Sequence, residues 1–130
     1  MNWLSVLIAT GAGMILGALW YSPRIFGTAW LRAIGKSETD LGPALWPMLG
    51  SVIASFLTAL ALAILFNLTG TQGVVPGATV GSLIGVGIVF SAFLSDNLFC
   101  GWGWRLLLIQ AGYRVVYVIV MAAIIGGWPR

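Results

Sequence analysis

Residues 41–95 carry no charged side chain. As one continuous helix, at about 1.5 Å per residue, such a run would be roughly 80 Å long. The hydrocarbon core of a bilayer is about 30 Å thick, so a run of this length has to cross it twice. The rest of the 130-residue chain shares the bias, being 60% hydrophobic and 7% charged with a mean hydropathy of +1.04. A soluble domain carries about 25% charge. Too few polar groups are present to cover a water-facing surface, and a membrane is the expected solvent.

The breaks in the apolar pattern set the number of spans. Residues 1–23 contain no charge, which predicts a first span over residues 3–22. It is expected to be retained rather than cleaved. No Lys or Arg precedes it, and it ends in Leu19-Trp20-Tyr21-Ser22-Pro23 instead of small residues. The long uncharged run divides at Asn67-Leu68-Thr69-Gly70-Thr71-Gln72-Gly73, a cluster of turn formers followed by Pro76. Spans two and three then cover residues 44–68 and 74–97, and a fourth covers residues 105–128. The expected fold is all-α and integral to the membrane, a single domain over residues 1–130 built as a four-transmembrane-helix bundle. Trp3 and Trp128 fall at one set of helix ends, and Trp20, Trp30, Trp46, Trp102 and Trp104 at or near the other, as an aromatic belt requires.

Charge placement orients the bundle. Arg24, Arg32 and Lys36 lie between spans one and two and Arg105 opens span four, whereas the opposite side has only the terminal amine and Arg130. The positive-inside rule puts both charged loops in the cytoplasm and both termini outside. These loop positions account for most of the basic residues, and no nucleic-acid partner is expected.

The chain has no His, one Cys and three carboxylates, Glu38, Asp40 and Asp96. One chain cannot assemble a protein-only zinc site or a Ser/His/Asp triad from that set. No metal, cofactor or enzymatic activity is therefore expected, and Cys100 is read as a free reduced thiol.

The longest connection is rich in aromatics. Pro23 suits a first helical turn and Gly35 a helix end, which predicts a short helix over residues 24–34. Arg24, Thr28, Arg32 and Lys36 form one stripe, with Phe26, Ala29, Trp30, Ala33 and Ile34 opposite. This reads as an interfacial amphipathic helix on the inner leaflet. Arg24, Arg32, Lys36 and Trp30 would contact anionic lipid there, at about 1 kcal/mol per basic residue. The plainer alternative is that the helix obeys the positive-inside rule and packs under the bundle. Ser37-Glu38-Thr39-Asp40 has capping-box spacing and leads into span two.

The strings Gly17-Ala18-Leu19-Trp20-Tyr21-Ser22-Pro23, Phe26-Gly27 and Trp30 resemble the start of the bacterial membrane family catalogued as domain of unknown function 1761. Asn97-Leu98-Phe99, Leu108-Ile109, Ala111-Gly112-Tyr113 and the ending from Met121 to Trp128 are similar to its later part. The resemblance covers nearly the whole chain. It implies a four-helix, multi-pass protein of the bacterial inner membrane and no known activity, so function has to come from the residues.

Small residues mark packing ridges. Ala9, Gly13 and Gly17 recur at intervals of four on span one, as do Gly77, Gly81 and Gly85 on span three, and such ridges let backbones approach closely. Two ridges in four short helices favour a homo-oligomer, or a subunit of a larger membrane complex.

Arg114 is the one charge inside a predicted span that topology does not explain. Such residues usually face protein or water. Gln110, Arg114, Tyr117 and Met121 form one helical stripe with Tyr113 on its flank, and Ser51, Ser55 and Thr58 of span two share the same spacing. Those hydroxyls have a second option, bonding back to their own helix. In a structural reading Arg114 pairs with Asp96 and locks two helices. In a functional reading Gln110, Tyr113, Arg114 and Tyr117 line a polar cavity for an anion or lipid headgroup. Asp96 has a second possible partner in Arg105. The leading functional expectation is a small accessory, scaffold or lipid-binding membrane protein. The alternative is an oligomeric channel or transporter for a small anionic or neutral solute.

Overall fold

The computed structural model describes residues 2–129. Among them are helices α1 (Trp3–Trp20), α2 (Gly27–Ile34), α3 (Leu45–Thr69), α4 (Val74–Ile84), α5 (Ser91–Cys100) and α6 (Trp104–Gly127), with no strand. A π-helical stretch, Gly85–Phe90, joins α4 to α5, and a single 3-10 turn, Glu38–Asp40, precedes α3. Since α4, the π stretch and α5 run on as one rod, four helices among the described residues are long and apolar enough to cross a membrane.

Local chemistry sets the ends. The Asn2 side chain accepts the N–H groups of Leu4 and Ser5, satisfying donors that the first turn of α1 leaves free. Gly70 and Gly101 close α3 and α5 with φ of +70° and +68°, a region where a side chain would be strained. The capping box forms around Ser37: its N–H and its hydroxyl each donate to the Asp40 carboxylate at 2.9 Å. The backbone donor first, and the hydroxyl second, hold the Asp40 carboxyl below its ordinary range. This anchor is therefore intact above the usual carboxylate pKa and opens as pH falls through the lowered value.

The helix following α1 begins later than the proline rule predicts. Ile25 and Gly27 both donate to the Ser22 carbonyl, at 3.0 and 2.9 Å, and Phe26 donates to that of Trp20 at 3.0 Å. These bonds wind residues 21–26 into a tight turn, and a Cβ on Gly27 would collide with the Tyr21 carbonyl oxygen. α1 consequently ends at Trp20, and Arg24 lies in the turn while Lys36 lies beyond the Gly35 cap. Of the four-residue basic stripe, only Thr28 and Arg32 are helical.

α6 is the hub. It packs against α1, α3 and the α4–α5 rod, and its Tyr117, Met121 and Ala122 are fully buried with Val6, Ala59 and Phe66. A Cβ on Gly77 would lie 2.5 Å from the Ala122 carbonyl, and one on Gly81 would lie 2.7 Å from the Ala122 Cβ. Gly85 abuts Val115, and Gly126 returns the contact, since its Cβ would lie 2.9 Å from the Gly77 Cα. On α1, Ala9 is buried, and Gly13 and Gly17 back onto the rings of Tyr117 and Tyr113. Both glycine ridges thus face α6 of the same chain. Neither of these two ridges is free for a second copy, so the glycine spacing no longer argues for a homo-oligomer.

α3 and α4 are consecutive, yet they share no substantial interface. α3 buries nothing before Ser55, and α5 buries only Asn97. A cleft therefore separates α3 from the α4–α5 rod, with α6 as its floor.

Candidate functional site

The end of the bundle carrying Arg24, Arg32, Lys36 and Arg105 is built by aromatic residues. The Trp20 indole N–H donates to the Ile109 carbonyl at 3.0 Å, tying the end of α1 to α6. From the Trp30 ring a ladder of contacts runs to Tyr21, Tyr113 and Tyr117, with successive centroids 5.5, 5.5 and 5.4 Å apart. Phe26 packs on Trp20 with centroids 4.7 Å apart. The Tyr113 hydroxyl donates to the Gly13 carbonyl at 2.9 Å, an approach open only because residue 17 above it is glycine. The Leu-Trp-Tyr-Ser-Pro string is thus the corner joint between α1, α2 and α6.

This joint shapes a cavity of about 390 Å³ between α2 and α6. Arg32 from α2 and Arg105 from α6 both line it, over an apolar wall of Phe26, Trp104 and Leu108. The Arg105 guanidinium lies 5.6 Å from the Trp104 ring centroid. Arg24 and Lys36 are exposed outside the cavity, and Trp30 is half-buried on Tyr21.

A second cavity, of about 470 Å³, is the cleft between α3 and the rod. Arg114 and Tyr117 reach it from α6, Leu57, Thr58 and Leu62 from α3, and Val89 and Phe93 from the rod. The Arg114 guanidinium sits 4.9 and 5.0 Å from the ring centroids of Tyr113 and Tyr117. Asp96 is exposed, and among the described residues no ion pair joins it to Arg114 or Arg105.

The predicted polar seam is divided. Gln110 lines a separate pocket with Ile34 and Trp102, Tyr113 is buried against α1, and only Arg114 and Tyr117 share the cleft. On α3 the Ser55 hydroxyl contacts the Met14 sulfur at 3.6 Å, facing α1. Thr58 lines the cleft, but its hydroxyl donates to the Ala54 carbonyl of its own helix at 2.9 Å. Asn97 is buried and donates to the Gly103 carbonyl at 3.0 Å, closing the loop into α6. Sequence reasoning missed Arg105 as the companion of Arg32, and Gly126 as the counterpart of Gly77. Spacing gives no sign of either pairing, because each joins residues far apart in the chain.

A bundle of four long apolar helices, with the short helix that carries Arg32 folded against one end, is by length and composition the membrane-spanning type. The chain belongs to the family described as Protein of unknown function (DUF1761), which matches residues 4–126. No curated protein and no solved structure matches it.

Proposed function

We propose that this protein is a multi-pass inner-membrane accessory protein that binds anionic phospholipid at the cytoplasmic face. The observation that carries the reading is the cavity shared by Arg32 and Arg105. Two arginines lining one cavity suit a phosphodiester, while Phe26, Trp104 and Leu108 suit the first carbons of its acyl chains. The basic residues around the cavity, Arg24 and Lys36, add attraction to an anionic leaflet without defining a pocket. A solute pathway along α6 has less support, because Gln110 and Arg114 line different cavities and Tyr113 is packed.

Spin-labelled phosphatidylglycerol and phosphatidylcholine test the reading in bilayers containing the full chain. The immobilised fraction should be larger for phosphatidylglycerol. At about 1 kcal/mol per arginine near the surface, the Arg32→Gln/Arg105→Gln variant should lose about thirtyfold in relative affinity. Equal immobilisation of the two lipids by the unmodified protein would refute it.

A further inference from the structure

The cleft between α3 and the α4–α5 rod is a second cavity, separate from the Arg32–Arg105 cavity. Arg114 lies ten residues along α6 from Trp104, about 15 Å into the helix, which is near the middle of an apolar span. A cation on an apolar span is costly, and such a residue faces protein or water and finds a polar partner. No counter-charge is supplied among the described residues: Asp96 is exposed and unpaired with it, and the guanidinium rests on tyrosine rings. Beside it the Tyr117 hydroxyl is buried with no hydrogen-bond partner, although Tyr117 also lines the cleft. The remaining walls are hydrocarbon, with Leu57, Leu62, Val89 and Phe93 among them. Val89 belongs to the π-helical stretch, a distortion that recurs at functional sites.

We infer that this cleft binds a long-chain carboxylate, with its head on Arg114 and its tail along the hydrocarbon walls. The charge selects a monoanionic head, and the room for a single chain makes it a carboxylate, which one guanidinium can hold through two parallel hydrogen bonds. A dianionic phosphate monoester would leave a net charge at the same depth. The walls select the tail, since the Thr58 hydroxyl is already bonded to its own helix and offers a chain no better partner than lipid. The volume of about 470 Å³ falls in the lower part of the range usual for small-molecule sites, about 300 to 1,000 Å³, and suits one chain rather than two.

The test uses the full chain in phosphatidylcholine nanodiscs, titrated with radiolabelled hexadecanoate against unlabelled hexadecan-1-ol, which has the same tail and no charge. Hexadecanoate should bind saturably, and the alcohol should compete about tenfold more weakly. Arg114→Gln should weaken hexadecanoate by about tenfold or more. Ala61→Trp, which fills the cleft from an exposed position and leaves Arg114 in place, should do the same. Arg32→Gln/Arg105→Gln should leave this binding unchanged, so that the two sites stand or fall separately. Equal competition by the alcohol, unsaturable uptake, or unchanged affinity in Ala61→Trp would each overturn the assignment. The alcohol and Ala61→Trp arms decide it even if Arg114→Gln does not fold.

Discussion

Replacing Gly77 with alanine is expected to destabilise the bundle by about 3 kcal/mol, at the upper end of what an added methyl costs in a packed core. The new Cβ would lie 2.5 Å from the Ala122 carbonyl oxygen and 3.2 Å from the Gly126 Cα, so both obstacles are backbone atoms that cannot rotate away. The rod has little other support, because among the described residues α6 is the only long helix it packs against substantially. Separating α4 from α6 therefore forfeits most of the dispersion contacts that hold it, and lipid gives no hydrophobic drive to restore them. Gly87→Ala is the matched control. It adds the same methyl to the same rod at an exposed position where nothing lies within 4 Å, and it should be neutral or slightly stabilising. Unfolding in mixed detergent micelles, followed by circular dichroism, measures both. Equal effects from the two substitutions would mean that the Gly77 ridge is not a close-packed contact.

Arg114→Leu should do the opposite and, in protein stripped of bound lipid, stabilise the fold by about 1 to 2 kcal/mol. A charge near mid-span costs about 2.5 to 3.5 kcal/mol. The stacking of the half-buried Arg114 on Tyr113 and Tyr117 returns about 0.5 to 1 kcal/mol per ring, about 1 to 2 kcal/mol together, and no ion pair with Asp96 adds to it. Leucine would sit among Leu57, Leu62 and Phe93 without a charge to bury. Asp96→Asn, at an exposed site, should leave stability unchanged. If Arg114 instead locked two helices through Asp96, both variants would lose stability by similar amounts, and the double variant would lose no more than either alone.

The helix breaks and the packing surfaces were legible because each is written in one short stretch of chain. The turn cluster ending at Gly73 does separate two long helices, and Gly77, Gly81 and Gly85 do lie where backbones approach, whereas Gly13 and Gly17 meet tyrosine rings. The start of α2 was less legible: Pro23 suits a helical first turn, but carbonyls at Trp20 and Ser22 capture the next amides and wind a turn instead. What the ridges pack against was hidden altogether. The side chains opposite Gly13 and Gly17 are Tyr117 and Tyr113, a hundred residues away, so residues that share a helical stripe with Arg114 turn out to be spacers against α1. The apolar walls of the cleft were equally hidden, since it arises from two consecutive helices that share no substantial interface. Its floor shows why helical spacing alone misleads here. Gln110 and Arg114 are four residues apart on one helix and still line different cavities, because α2 and the loop at Trp102 cover one and α3 flanks the other.

The claim that this is a lipid-binding protein is tested most directly by the intact mass of the chain released gently from its native membrane. The unmodified protein should retain an anionic phospholipid through detergent exchange, and Arg32→Gln/Arg105→Gln should release it while keeping the same helical content. Retention of the same phospholipids by both proteins, or of none by the unmodified one, would contradict it.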